Sequence, residues 1–311
     1  MIEKQLIKGL ISFVPGINKI LAKGTGGTDS AKYCYSVWLR HLVMAKINGL
    51  NANPQTVAEL GPGDSLGIGI AALISGSEKY FAFDVVKHAN AEKNLSVFDG
   101  IVDLFHNRTP IPGDDVFPNV KPYLKTYDFP SELLDEKRLS RALEKSRLAR
   151  IRDSICNPHK SDSKIQYKVP WNQLGGLERG SIDMICSQAV LEHVDDLHNT
   201  YKSMALWLKP NGYLSHQIDF KCHGTADEWN GHWTYSDLKW KIIRGRQLYL
   251  LNREPHSRHI TLLKKEGFRI VCDKKVGSTS NLKRNALVSR FRSISSEDLT
   301  TSGAFIQAIK L

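Results

Sequence analysis

Between Pro54 and the C-terminus, short apolar runs alternate with stretches of helical period. "QTVAEL" (55–60) reads as a buried strand, "SLGIGIAALISG" (65–76) as a helix and "KYFAFDVV" (79–86) as a second strand, the alternation expected of a parallel sheet wrapped by helices. The pattern breaks after Asp84. From about 88 to 164, Pro-rich loops ("RTPIPGDDVFPNVKPY") and a charged helix ("SELLDEKRLSRALEKSRLARIRDSI") intervene, far longer than the ~2–6 residues of an ordinary connection. They predict an inserted cap. The alternation resumes with "KIQYKVPW", then "SIDMICSQAVLEHV", a strand turning into a helix, and the strand "GYLSHQIDF". A second irregular stretch, 220–258, is rich in Trp, His and Arg, before a helix and strand in "ITLLKKEGFRIVCDKKV" and a last strand in "AFIQAIKL".

Residues 1–53 form a helical N-terminal extension to the domain at 54–311. In "IEKQLIKGLISFVPGINKILAK", Ile2, Leu6, Leu10, Phe13 and Ile17 recur at roughly helical period, with Lys4, Lys8 and Lys19 between them, and Pro15 divides the segment into two short helices. Such a piece either packs on its own domain or lies on an anionic membrane surface. Thr28 or Asp29 in the following loop can cap the helix "AKYCYSVWLRHLVMAKING".

Composition narrows the class. A chain of 311 residues with 41% hydrophobic content builds a real core, which excludes a disordered or fibrous protein. Its 43 Lys and Arg against 32 Asp and Glu leave a formal charge of +11, which suits phosphate-bearing partners or anionic lipid as well as a plain solvated surface. The five cysteines are odd in number, scattered and without a CxxC pair, pointing to reduced thiols in a cytoplasm. No run approaches the ~20 apolar residues of a membrane span, so the expected location is cytoplasmic, with peripheral contact at the inner face of the membrane left open.

The chemistry centres on "VAELGPGDS" (57–65), an apolar strand running into glycines, because backbone without a Cβ lets a ligand approach. A dinucleotide fold wants G-x-G-x-x-G, and here Gly61, Gly63 and Gly67 are one residue out of register. Asp84, ending the second strand, binds a ribose in either case. Glu59 discriminates: a carboxylate before the loop is unwelcome beside a pyrophosphate but suits a ligand whose near end carries an ammonium and a sulfonium.

"ELGPGDS" with "FDVV", then "IDMICSQAVLEHVDD", then "WLKPNGYLSHQIDF" resemble the successive motifs of the class I S-adenosylmethionine-dependent methyltransferases. The resemblance spans about 54–311 apart from the two irregular stretches. It implies a Rossmann-like, mostly parallel seven-stranded sheet flanked by helices, with S-adenosyl-L-methionine as cofactor. Gly61 and Gly63 would lie against it, Glu59 would orient the loop and its amino end, Asp84 would accept its ribose hydroxyls, and Ser187 and Gln188 would wall its methionine part. Ser65 stands where many members have a third glycine. Glu192 and His193 resemble the family's "LEH" signature. Tyr167 to Trp171 offer no obvious adenine partner.

Methyl transfer needs acceptor and methyl held in contact and a proton removed. His216 is the expected base because its ordinary pKa lies near neutrality, a histidine packed in the sheet being the competing reading, and Asp219 is the alternative since the two point to opposite faces. His223, His232, Trp233, Asn252 and Arg253 are candidate acceptor residues. The spacing of Cys222, His223 and His232 fits no common zinc pattern, so no metal is expected. Stacking aromatics and arginines suit a small molecule or a glycan acceptor, or an RNA, and against nucleic acid stands the lack of an appended RNA-binding module. The layout resembles bacterial surface-polysaccharide-type methyltransferases. An RNA methyltransferase and a non-catalytic module that only binds S-adenosylmethionine remain the alternatives.

Overall fold

The computed structural model describes residues 2–14, 27–171, 177–247 and 250–311. The strands β1 (Thr56–Leu60), β2 (Lys79–Phe83), β3 (Ile165–Lys168), β4 (Ile182–Gln188) and β5 (Leu208–Asp219) run parallel. β7 (Thr301–Lys310) inserts antiparallel between β5 and β6 (Phe268–Gly277), giving one sheet in the order β3-β2-β1-β4-β5-β7-β6. This is the mostly parallel, seven-stranded, Rossmann-like architecture expected from the sequence.

Helices α1 (Ile2–Ile11), α2 (Ala31–Ile47), α3 (Gly67–Ile74), α4 (Ala91–His106), α5 (Glu136–Ala142), α6 (Lys145–Cys156), α7 (Leu197–Trp207), α8 (Asp237–Arg244), α9 (His256–Lys265) and α10 (Ser289–Arg292) complete the fold. Apolar faces of α2, α3, α4 and α6 share one core with β2 and β3. Those of α7 and α9 share another with the inner positions of β4, β5 and β7. The result is helices on both faces of the sheet.

Neither flanking segment stands apart from the core. α2 is buried over most of its length, and the fully buried Arg40 donates to the carbonyls of Pro112, Val120 and Pro122, which fixes the Pro-rich loop against it. From the insertion, Arg138 donates to the carbonyls of Ala52 and Ser75, and Arg147 to those of Leu73 and Ser77. The region expected as a cap is therefore welded to the helical layer through arginines that satisfy chain ends otherwise left bare. Its charged stretch forms two helices, α5 and α6, rather than one.

Two local readings change. Ser30 caps α2 by accepting from the Tyr33 amide, and Thr28 is spent elsewhere. After β4 the chain does not continue as an α-helix: Ala189 takes φ 54°, "LEH" forms a 3-10 turn, and α7 starts only where Asp196 caps the Asn199 amide. The second short helix expected after Pro15 falls at 15–26, outside the described residues.

Candidate active site

From β1 the sheet grows one way through β2 and β3 and the other way through β4 and β5, so the carboxyl ends of β1 and β4 flank the reversal where open α/β sheets take ligands. Gly61 (φ 62°) and Gly63 (φ 75°) form the turn there. A Cβ on Gly61 would fall 2.6 Å from Val190 Cγ2, so the loop after β1 and the turn after β4 touch at a point only glycine permits.

Asp84 is buried beside this loop, with Oδ1 accepting from the amides of Val85 (2.7 Å) and Val86 (3.4 Å). Burial raises its pKa, and those amides, with that of Gly63, oppose the rise. A carboxylate has about four acceptor positions, so the arrangement leaves capacity for ribose hydroxyls. Gly61, Gly63 and Asp84 are brought together as the sequence predicts, and their donor and acceptor set fits a nucleoside next to a bare loop.

The loop is braced from outside. Thr28 Oγ1 accepts from the amides of Asp64 (2.9 Å) and Ser65 (3.3 Å). Ser65 Oγ donates to the Thr28 carbonyl and accepts from the Gly67 amide at 3.0 Å, and Asn94 Oδ1 accepts from the Leu66 amide at 2.9 Å. The serine in the third-glycine position thus ties the loop to the Thr28 carbonyl and to the first amide of α3. Glu59 sits beneath, buried, its Oε2 accepting from the Tyr80 hydroxyl at 2.5 Å. Burial lifts its pKa to about 7 against the pull of Tyr80 and the Gly69 amide. Its carboxyl group ties β1 to Tyr80 of β2 and to the Gly69 amide of α3.

On β4 and β5 the registered neighbours Ser187 and His216 pair, Oγ to Nδ1, at 2.8 Å. His216 is 1% exposed, and burial, with His41 and His259 nearby, lowers its pKa to about 3. It is a neutral core histidine on the face packed by α7 and α9, which is the competing reading of the sequence rather than the expected base. Strand parity could say that His216 and Asp219 point apart, but not which face meets the crevice. Gln188, on the other face, accepts through Oε1 from His41 Nε2 at 3.3 Å and donates through Nε2 to the Lys121 carbonyl at 3.4 Å.

The ionisable pair at the sheet edge is Asp219 with His223. Asp219 Oδ2 lies 3.4 Å from His223 Nε2, across a turn in which His223 takes φ 46°. Burial pushes the Asp219 carboxyl up, but the bonds from His223 and from the Lys221 amide outweigh it and hold it below the usual range. Both side chains keep partial access to solvent. The His193 ring lies 5.4 Å from that of His223.

Behind the pair, a cavity of about 10 Å³, room for one water, is lined by Glu192, Asp219, His232 and the 251–254 segment. Glu192 is 2% exposed and neither carboxyl oxygen makes a side-chain hydrogen bond. Burial raises its pKa well above the ordinary carboxylate value, and its carboxyl group forms part of the cavity wall. Sequence reasoning left it as part of a signature.

The remaining acceptor candidates divide. His232 lines the cavity, buried, with Nδ1 unpartnered, and burial next to Arg253 lowers its pKa to about 3. Trp233 is wholly buried and its indole N–H donates to the Arg253 carbonyl at 3.0 Å, so it offers no stacking face. Asn252 Nδ2 donates to the carbonyls of Leu191 (2.7 Å) and Val194 (2.8 Å), and its Oδ1 accepts from Glu254; it clamps the LEH turn. Arg253 donates to the Tyr235 carbonyl at 2.7 Å and to Asp237 at 2.6 Å, holding the 232–237 segment. Among the described residues no group of three His, Cys, Asp or Glu side chains is placed to hold a metal ion.

A family model described as a methyltransferase domain matches residues 143–271. No curated protein matches the chain. Among solved structures, an S-adenosylmethionine-dependent methyltransferase from Mesorhizobium loti aligns over 83% of this chain and 91% of its own, at 11% identity and a TM-score of 0.37. Phosphoethanolamine N-methyltransferase 2 from Haemonchus contortus, solved with S-adenosyl-L-methionine, aligns over 88% of this chain and 52% of its own, at 15% identity and a TM-score of 0.39. The match at 143–271 agrees with the enzyme class, an S-adenosylmethionine-dependent methyltransferase, and with the cofactor that the motifs imply.

Proposed function

We propose that this enzyme transfers a methyl group from S-adenosylmethionine to an oxygen, a hydroxyl of a small molecule or glycan. The observation that carries the reading is the Asp219–His223 pair at the carboxyl edge of β5, beside the Gly61–Val190 contact that joins the two loops at the switch point. The donor supplies a methyl carbon already activated by sulfonium. What the chain must add is position and proton removal.

His223, with Nε2 toward Asp219, keeps Nδ1 to take the proton of the acceptor hydroxyl as its oxygen bonds to the methyl carbon and the carbon–sulfur bond breaks. Asp219, ionised, fixes the ring and stabilises the imidazolium, a role familiar for carboxylates behind a histidine base. Gly61, Gly63 and Asp84 hold the nucleoside end, Glu59 braces the loop, and Ser187 and Gln188 form the wall after β4. His232 and Glu192 present hydrogen-bonding groups to the acceptor side. His216 and Trp233 support the site from the core.

The same reading puts the enzyme in the cytoplasm, peripheral at the inner face of the membrane and working on surface-polysaccharide precursors, supported by the lysines of α1 and the absence of any helix long and apolar enough to cross a membrane among the described residues. The test is formation of S-adenosylhomocysteine from S-adenosylmethionine across a panel of hydroxyl, amine and RNA acceptors. Turnover on hydroxyl compounds that His223→Asn abolishes supports the reading, and turnover confined to RNA or amines overturns it.

A further inference from the structure

Helix α1 has two unlike faces. The inner one is built into the second irregular segment: a Cβ on Gly9 would fall 2.0 Å from the Ile242 carbonyl oxygen, Leu6 joins the cluster of Tyr235, Trp240 and Ile243, and Ser12 Oγ accepts from the Arg246 amide at 2.7 Å. Gln5 Nε2 donates to the carbonyl of Gly224, the residue after His223, at 2.8 Å. The outer face is the reverse of what a water-soluble helix presents. Ile7, Leu10 and Ile11, spaced at one helical face, and Phe13 and Val14 just past its end are 42–59% exposed. Lys4 and Lys8 line one edge of this face, Glu3 stands exposed on it, and the Arg246 guanidinium lies over the Phe13 ring at 5.4 Å.

Exposed aliphatic side chains concentrated on one short helix mark a surface that something covers. The basic rim on a chain of formal charge +11 decides what: apolar residues that enter the acyl boundary, with cations at headgroup level, match an anionic bilayer. We infer that the outer face of α1 seats on an anionic membrane and that, because its inner face is continuous with the segment carrying His223 and His232, docking holds the acceptor edge of the site at the bilayer surface. The inference rests on the peripheral location proposed above and adds the face, the residues and the mechanical link. An acceptor held in the membrane by a lipid anchor would then reach His223 without leaving it.

The experiment uses the full chain and vesicles of phosphatidylcholine with about one-third phosphatidylglycerol, against phosphatidylcholine alone. Sedimentation with the anionic vesicles, weakened by salt and lowered about tenfold or more in an Ile7→Ser/Leu10→Ser variant of unchanged circular dichroism, is the expected result. Hydrogen exchange should slow in 2–14 and in 221–235 on vesicle addition, and only in the parent chain. Absence of sedimentation, or a variant that binds as well as the parent, overturns the docking face. A concentration-dependent dimer that the double substitution dissolves would overturn it too, by making a second copy the occupant. Binding with unchanged exchange in 221–235 overturns the link to the acceptor edge. Calorimetric binding of S-adenosylhomocysteine in the same preparations reports the methyltransferase reading separately, so either can fail without the other.

Discussion

Asp219 and His223 meet across a single turn, carboxylate to imidazole at 3.4 Å, with the histidine in the left-handed region of backbone space. Residues without glycine's freedom seldom adopt that conformation unless their surroundings hold them there. Here it swings the ring back onto the strand's last residue. In the proposed mechanism this pair, and not the buried His216, carries the proton transfer. His223→Asn should lower turnover by ~10²–10⁴ with cofactor affinity nearly intact, and Asp219→Asn by a smaller factor. His216→Asn should leave the chemical step in place, since its ring is buried against Ser187. Single-turnover rates on the three variants decide the order.

Asp84 is the proposed anchor of the nucleoside end. Replacing it by Ala removes a charged acceptor of ribose hydroxyls, worth ~1.5–3 kcal/mol, so S-adenosylhomocysteine should bind roughly tenfold to a hundredfold more weakly by calorimetry. Equal affinity in a folded variant would remove the assignment.

Thr28 holds the glycine loop through two amides. Thr28→Val keeps the shape and loses the acceptor, stranding the Asp64 and Ser65 amides, at a cost of ~1–3 kcal/mol. Urea unfolding should register that loss, and cofactor affinity should fall with it although Thr28 belongs to the N-terminal segment.

The buried histidines make stability depend on pH with a definite sign. His41 is lowered to about 4, and His216, His232 and His259 to about 3, chiefly by burial. Folded below unfolded means that, as pH drops under 6.5, the unfolded chain takes up protons that the native state refuses. Their stabilisation is full above that value and lost progressively below it, each at about 1.4 kcal/mol per pH unit. Glu59 runs the other way: raised from 4.5 to about 7, it contributes most below 4.5 and loses stability as pH climbs to 7. Chemical denaturation from pH 4.5 to 6.5 should therefore show stability rising with pH, more steeply in Glu59→Gln than in the parent and less steeply in His216→Asn.

The strands were legible because buried parallel strands are continuous apolar runs: "TVAEL", "KYFAF" and "IDMICS" need no partner to be recognised. The glycine loop and Asp84 followed from strand ends. What failed to show was anything fixed by a single φ or a distant partner. Ala189 and His223 bend the chain with side chains that do not advertise it, which hid the 3-10 turn at LEH and the pairing of His223. Trp233, Asn252 and Arg253 looked like recognition residues because their chemistry suits both ligand and scaffold. Only their partners, a carbonyl at 253, two carbonyls on the LEH turn and Asp237, assign them to scaffold.

The LEH turn is gripped from two sides, by Gly61 packing on Val190 and by Asn252 bonded to the carbonyls of Leu191 and Val194. In the proposed site the cofactor's loop and the acceptor-side segment thereby share one mechanical element, through which binding at either would settle the turn for the other. Thermodynamic reciprocity would then require the donor to raise acceptor affinity by the same factor as the acceptor raises donor affinity.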